Sequence, residues 1–133
     1  MSCKSALYAA LQTPTAVAVD GVIPLGSLIR RYGCDITLNG NAVNLSGAGY
    51  YDVDVSITVA PTAAGTVTAT LVKDGVAIPG ATASADAAAG APTVLSFPAL
   101  VRQACCASGS ALTLVLTGAA ATVNNVALRV QRI

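Results

Sequence analysis

An all-β domain made of two packed sheets is the fold class this sequence predicts, and three observations carry that expectation. From Tyr51 to Val59 apolar and polar side chains alternate without a break. Successive strand residues point to opposite faces, so Tyr51, Val53, Val55, Ile57 and Val59 line a core while Asp52, Asp54, Ser56 and Thr58 face outward. The same alternation returns in Thr66 to Leu71, Ala111 to Thr117 and Val126 to Ile133, and Gly, Pro, Asn and Asp punctuate the runs between them. The 133 residues contain no linker-like stretch, which predicts one domain large enough to bury a core between two sheets.

In chain order, residues 1–14 read as an N-terminal arm, helical or irregular. Leu7, Ala10 and Leu11 fall at helical spacing and Pro14 acts as a stop. Leu7, Tyr8 and Leu11 are its candidate attachment residues, and a frayed terminus is the alternative. The β domain then occupies 15–133. Ala16 to Val19 turns at Asp20-Gly21 and continues as Val22 to Leu25, where Pro24 marks an edge or a strand start. Ile36 to Leu38 and Val43 to Leu45 flank Asn39-Gly40-Asn41, whose Asn-Gly step favours the left-handed backbone of a tight hairpin. After the long strand Tyr50 to Val59, Thr66 to Lys73 leads into a second tight turn at Asp74-Gly75. Val76 to Ile78 follows as an exposed or bulged partner strand, because Pro79 and Gly80 interrupt it. Ala81 to Gly90 is low in complexity, and its composition leaves a short helix, a sliding strand and a loop all open. Thr93 to Val101 carries the only Phe, and Leu112 to Leu116 and Val126 to Val130 complete nine or ten short strands. Two sheets face to face accommodate that number best.

Composition narrows the function. Of the residues, 54% are hydrophobic and 10% charged, with net charge +1. So few charges cannot coat the surface, which predicts that apolar area is hidden by self-association. A surface simply tiled with Ala and Thr is the plain alternative. The cations Lys4, Arg30, Arg31, Lys73, Arg102, Arg129 and Arg132 are scattered rather than striped, so no nucleic-acid partner is expected. No run has the length of a signal-peptide core or of a bilayer span, so no membrane partner is expected either, and the chain should be soluble when made.

Catalytic chemistry is improbable on composition. There is no His and no Glu, which leaves six Asp as general bases and rules out a Ser-His or Cys-His pair within the chain. Gly47-Ala48-Gly49 precedes a strand rather than opening a helix, so it reads as a turn. No cofactor is expected. Asp52 and Asp54 share one strand face and offer oxygen ligands to a cation, but two solvated carboxylates are the more probable reading and no metal site is assigned. Cys3, Cys34, Cys105 and Cys106 lack zinc-knuckle spacing. They are candidates for disulfides: Cys34 with one of the adjacent pair, Cys3 between subunits, or a strained Cys105–Cys106 ring. Buried free thiols are the equal alternative.

The order of the pieces adds a family resemblance. Ile23-Pro24-Leu25-Gly26, Gly49-Tyr50-Tyr51, Lys73-Asp74-Gly75 and the closing Val126 to Ile133 resemble the jelly-roll superfamily of tumour necrosis factor and of the globular heads of complement and collagen-like proteins. The resemblance covers about residues 15–133. Ser5 to Tyr8, Arg30 to Cys34 and Val101 to Cys106 also look like small proteins of gut bacteria and their phages. What the superfamily resemblance implies is a jelly-roll β-sandwich of about ten strands, assembled as a homotrimer. Tyr50 and Tyr51 are then candidate core or subunit contacts. No Gly-X-Y repeat precedes the domain, which favours a free-standing head over a stalked one. The resulting expectation is a non-enzymatic structural virion protein, a capsid decoration or fibre component on the virion surface, whose partners are its own copies and a capsid or fibre protein. The rival is a receptor- or glycan-binding head, with a bacterial cell surface as its alternative location.

Overall fold

The computed structural model describes residues 5–33, 35–103 and 109–133. Eleven strands run through them: β1 (Ala6–Leu11), β2 (Thr15–Val17), β3 (Ser27–Tyr32), β4 (Ile36–Asn39), β5 (Ala42–Leu45), β6 (Gly49–Pro61), β7 (Gly65–Lys73), β8 (Val76–Ala87), β9 (Thr93–Gln103), β10 (Ser110–Thr117) and β11 (Ala121–Arg132). They form two antiparallel sheets. The first has the order β3-β1-β11-β6-β9, with β2 also on β11, and the second has the order β4-β5-β10-β7-β8.

The period-two pattern decides which side chains meet between the sheets. Tyr51, Val53, Val55, Ile57 and Val59 on β6 are buried, as alternation requires, and they face Leu112, Leu114 and Leu116 of β10 and Val67, Ala69 and Leu71 of β7 across one continuous core. Each fully buried Leu or Ile contributes about 1.5–3 kcal/mol relative to exposure. The segment after β2 crosses between the layers. Val17 lies in the first sheet, while Val22 bridges to Val115 of β10 and the Ile23 amide donates to the Leu114 carbonyl at 2.7 Å. Ile23 and Leu25 seal that end of the core.

Both expected hairpins are present. β4 and β5 pair around Gly40, whose φ is 61°. β7 and β8 meet at Asp74-Gly75, with φ of 50° and 85°, the doubly left-handed turn that matches strand twist. Asp74 then ties the turn to β10, its carboxylate accepting from the Ala111 amide at 2.9 Å.

Three expectations need correction, and one strand was not foreseen. Residues 6–11 are neither helix nor irregular arm but strand β1, hydrogen-bonded on both sides between β3 and β11. The sandwich therefore begins before residue 15, because Leu7 and Ala9 fit the core face at strand spacing. Strand β3 had no visible signal: its six residues are all exposed, so it shows no alternation. Val22 to Leu25 contributes one bridge rather than a strand. Finally, β8 continues through Pro79 and Gly80 as far as Ala87, with its register shifting opposite Thr70 and Val72. That shift is the bulge that Pro79 and Gly80 demand at a sheet edge.

Candidate functional site

Strand parity builds the outer face of the first sheet. Even-numbered residues of β6 point away from the core, and register sets them beside neighbours on four other strands. Arg30 of β3 lies opposite Tyr8 of β1, Tyr8 opposite Arg129 of β11, Arg129 opposite Asp54, and Asp54 opposite Pro98 of β9. Arg129 sits between two carboxylates, its Nη2 donating to Asp54 Oδ2 and, at 3.3 Å, to Asp52 Oδ2. The same-face placement of Asp52 and Asp54 was legible in their spacing, and a guanidinium occupies the space between them. All three side chains are about half exposed, so the pairing contributes at most about 1 kcal/mol.

Apolar groups surround this ion cluster. Tyr8 is 40% exposed, Tyr50 48%, Leu100 58% and Val94 61%. Small side chains fill the middle, where Tyr8, Asp54, Ser56, Ser96, Ala127 and Arg129 border a shallow depression of about 310 Å³. The outer face of the second sheet is different in kind. Thr66 bonds to Asp86, Thr68 to Ser84 at 2.8 Å, and Thr70 to Thr82 at 3.2 Å. Its hydroxyls satisfy one another across β7 and β8.

Behind the first sheet's face lies a mostly buried polar cluster. Arg132 pairs with Asp35, their side chains only 16% and 12% exposed, and also donates to the Ala48 carbonyl. Asp35's amide donates to Ser5 Oγ at 3.1 Å and its carbonyl accepts from the Ser46 amide at 2.9 Å. Tyr51 donates its hydroxyl to the Gly47 carbonyl at 2.5 Å. Burial, reinforced by the Asp35 charge, pushes the Tyr51 phenol above its ordinary value. A Cβ on Gly47 would run into the Asp35 carboxylate, so glycine is what lets the 46–48 loop close over this cluster and launch β6.

The structure divides the residues singled out from sequence. Leu7 is buried in the core, so it is not available to attach to a partner; Leu11 is partly buried against the core, and Tyr8 points outward on the described face. Tyr51 is likewise corrected from a possible subunit contact to a fully buried core residue, whereas its neighbour Tyr50 is exposed. Cys3, Cys34, Cys105 and Cys106 lie outside the described residues. Sequence reading missed Arg30, Val94, Leu100 and the role of Arg129. A signal existed for two of them: with Leu95, Phe97 and Val101 inward, Val94 and Leu100 are large apolar residues on the outward parity of β9.

No family model and no curated protein matches this chain. Solved structures do. Eiger TNF from S. frugiperda superposes with a TM-score of 0.71 at 14% identity, over 100% of this chain and 94% of that one. The globular domain of zebrafish complement 1qA gives 0.69 at 8% identity, over 96% of each chain. The PRD1 vertex protein P5 gives 0.66 at 14% identity, over 97% of this chain and 73% of that one. Two antiparallel sheets of eleven strands, superposable over nearly the whole of this chain on these domains, make it a TNF- and C1q-like jelly roll by fold.

Proposed function

We propose that this chain is a non-enzymatic structural head that self-associates through the outer face of its first sheet, forming a homotrimer that decorates a capsid or fibre at a virion surface. One observation carries the reading: Tyr8, Tyr50, Val94 and Leu100 are exposed on that one face, while the outer face of β7 and β8 in the second sheet carries a hydroxyl ladder. A face that mixes large apolar groups with a compact ion cluster resembles the core and rim of a subunit interface. Closing three copies around an axis removes that apolar area from water and hides the excess that composition implies. The similarity to a vertex protein supports placement on a particle, where three equal contacts would add through avidity.

Light scattering coupled to gel filtration of the whole chain tests the assembly. The expected mass is three times the 13.1 kDa chain mass. A monomer at tens of micromolar, a concentration at which obligate interfaces are fully formed, would overturn it. Co-sedimentation of the trimer with purified particles then tests the location, and its absence would favour a receptor- or glycan-binding head.

A further inference from the structure

The geometry points to a covalent cross-link that the chain makes by itself: an ester between the Ser110 hydroxyl oxygen and the side-chain carbonyl carbon of Gln103, tying the end of β9 in the first sheet to the start of β10 in the second. It is independent of the self-associating reading above.

An orphaned donor marks the place. Gln103 Nε2 is the one buried side-chain nitrogen or oxygen with no hydrogen-bond partner among the described residues, in a side chain only 2% exposed. A buried amide nitrogen left unpaired carries the full cost of its lost hydration, so it needs a physical reason. As a leaving group it has one. The other polar atom of the same carboxamide, Oε1, accepts from Ser110 Oγ at 2.6 Å, and the carbonyl carbon one bond beyond it is within reach of that hydroxyl oxygen. Ser110 is itself only 9% exposed.

The β7–β8 turn supplies a base. Lys73 Nζ donates to the Arg102 carbonyl at 2.6 Å and the Asp74 amide donates to the Ala111 carbonyl at 2.9 Å, which pins the turn to the residue before Gln103 and to the residue after Ser110. The Asp74 carboxylate then lies against the serine. Hydrogen bonds from the Ala111 amide and from the Ser110 hydroxyl hold it below the usual carboxylate range, so it is ionised at neutral pH and able to take a proton. In the reaction the bond from Ser110 Oγ to Gln103 Cδ forms and the Cδ–Nε2 bond breaks. The hydroxyl proton passes through Asp74 to the departing nitrogen, which leaves as ammonia, and the carboxylate is regenerated. Nothing else is consumed. The product contains neither the unpaired donor nor the buried hydroxyl, and the enclosure of the site keeps water from hydrolysing the ester.

Intact mass spectrometry of the full chain, with its cysteines reduced and alkylated, tests the cross-link. The wild type is expected to weigh one ammonia less than its sequence and S110A to carry its full mass, with circular dichroism confirming that S110A is folded. S110T keeps a hydroxyl and should lose ammonia again. Hydroxylamine added to the denatured wild type should open the bond and add itself to Gln103. Because Asp74 is regenerated, D74N should reach the same final mass, but about a hundredfold more slowly after synthesis. Closure of D74N at the wild-type rate would overturn Asp74 as the base. A wild type at its full mass would overturn the cross-link and leave Gln103 and Ser110 joined by a hydrogen bond alone. A loss of ammonia that persists in S110A would overturn it as well, by assigning the event elsewhere, such as a succinimide at Asn39-Gly40.

Discussion

The two sheets are alike where they face each other and different where they face away. Inward, both present Val, Leu, Ile and Ala at every second residue. Outward, β7 and β8 pair threonines with Thr82, Ser84 and Asp86, whereas β1, β11, β6 and β9 hold an Arg129–Asp52–Asp54 cluster amid exposed Tyr8, Tyr50, Val94 and Leu100. Hydroxyls that bond to one another and to water need no partner. Large apolar groups on a flat sheet do. The core thus specifies the fold equally through both layers, and the layers differ in what lies on their backs.

The largest effect should appear where the sheets do not differ. Val55→Asp in β6 and Leu71→Asp in β7 each place an unpaired carboxylate in the shared core, at a cost of several kcal/mol, on the order of the whole stability of a small domain. Both should be unfolded or nearly so in thermal melts. Asp54→Asn, one residue from Val55 but outward, should change the melting of the folded chain by less than about 1 kcal/mol. Equal effects from Val55→Asp and Asp54→Asn would mean that the two faces of β6 are reversed.

The next effect should separate the sheets. Leu100→Lys and Ser84→Lys put the same charge on outward positions of the two edge strands β9 and β8. Leu100→Lys is expected to shift the assembly toward monomer while Ser84→Lys leaves its mass unchanged. The opposite result would move the contact to the threonine face.

A smaller effect probes the cluster that braces the first sheet. Tyr51→Phe removes the bond to the Gly47 carbonyl, for a loss of about 1 kcal/mol. Because the folded Tyr51 phenol titrates above its ordinary value of 10.0, the native state retains a proton that the unfolded chain has released. Stability is then full below that ordinary value and falls as pH rises through it toward the folded value. Urea midpoints across this alkaline range should decline less in Tyr51→Phe than in the wild type, and identical slopes would place the phenol in water.

The smallest effect belongs to the second sheet's Asp74, which the Ala111 amide holds below the usual carboxylate range. Its contribution is present above the ordinary value of 3.8 and is lost as pH falls through the lower folded value. Asp74→Asn should therefore melt slightly below wild type at neutral pH and coincide with it in strong acid. A gap that persists in acid would assign the effect to turn conformation instead.

What could be read in the sequence follows from how decisively each side chain chooses a face. β6 was legible because Val and Ile alternate with Asp and Thr, and the hairpins because Asn39-Gly40 and Asp74-Gly75 suit left-handed backbone. Alanine does not choose. Ala6, Ala9 and Ala10 let Leu7 and Leu11 pass for a helical stripe, and Ala81, Ala83 and Ala85 blurred an inward row that strand β8 does use. Strand β3 was invisible because neither of its faces is covered. The candidate site was harder still. Asp52 and Asp54 share a face by local spacing alone, but Arg129 between them and Arg30 in the same row depend on registers between strands far apart in the chain. Even Tyr50 and Tyr51, adjacent and alike, are separated only by parity.

The position of β11 at the middle of the first sheet sets the order of events in folding. It pairs with β1, β2 and β6, yet it follows all of them in the chain, and its contact between Ala6 and Gln131 closes a loop of nearly the full length. Such closure costs entropy before any contact repays it, and chains dominated by distant pairings fold slowly, in milliseconds to seconds. During synthesis, β1 and β6 must wait without the strand that joins them, their apolar faces and open edges accessible to other nascent copies. The second sheet also awaits a late strand, since β10 joins β5 to β7, but its β7–β8 hairpin and its early β4–β5 hairpin can form local structure first. A growing chain would thus be most prone to aggregate just before β11 emerges, and a ribosome stalled there would present a half-built sheet to chaperones.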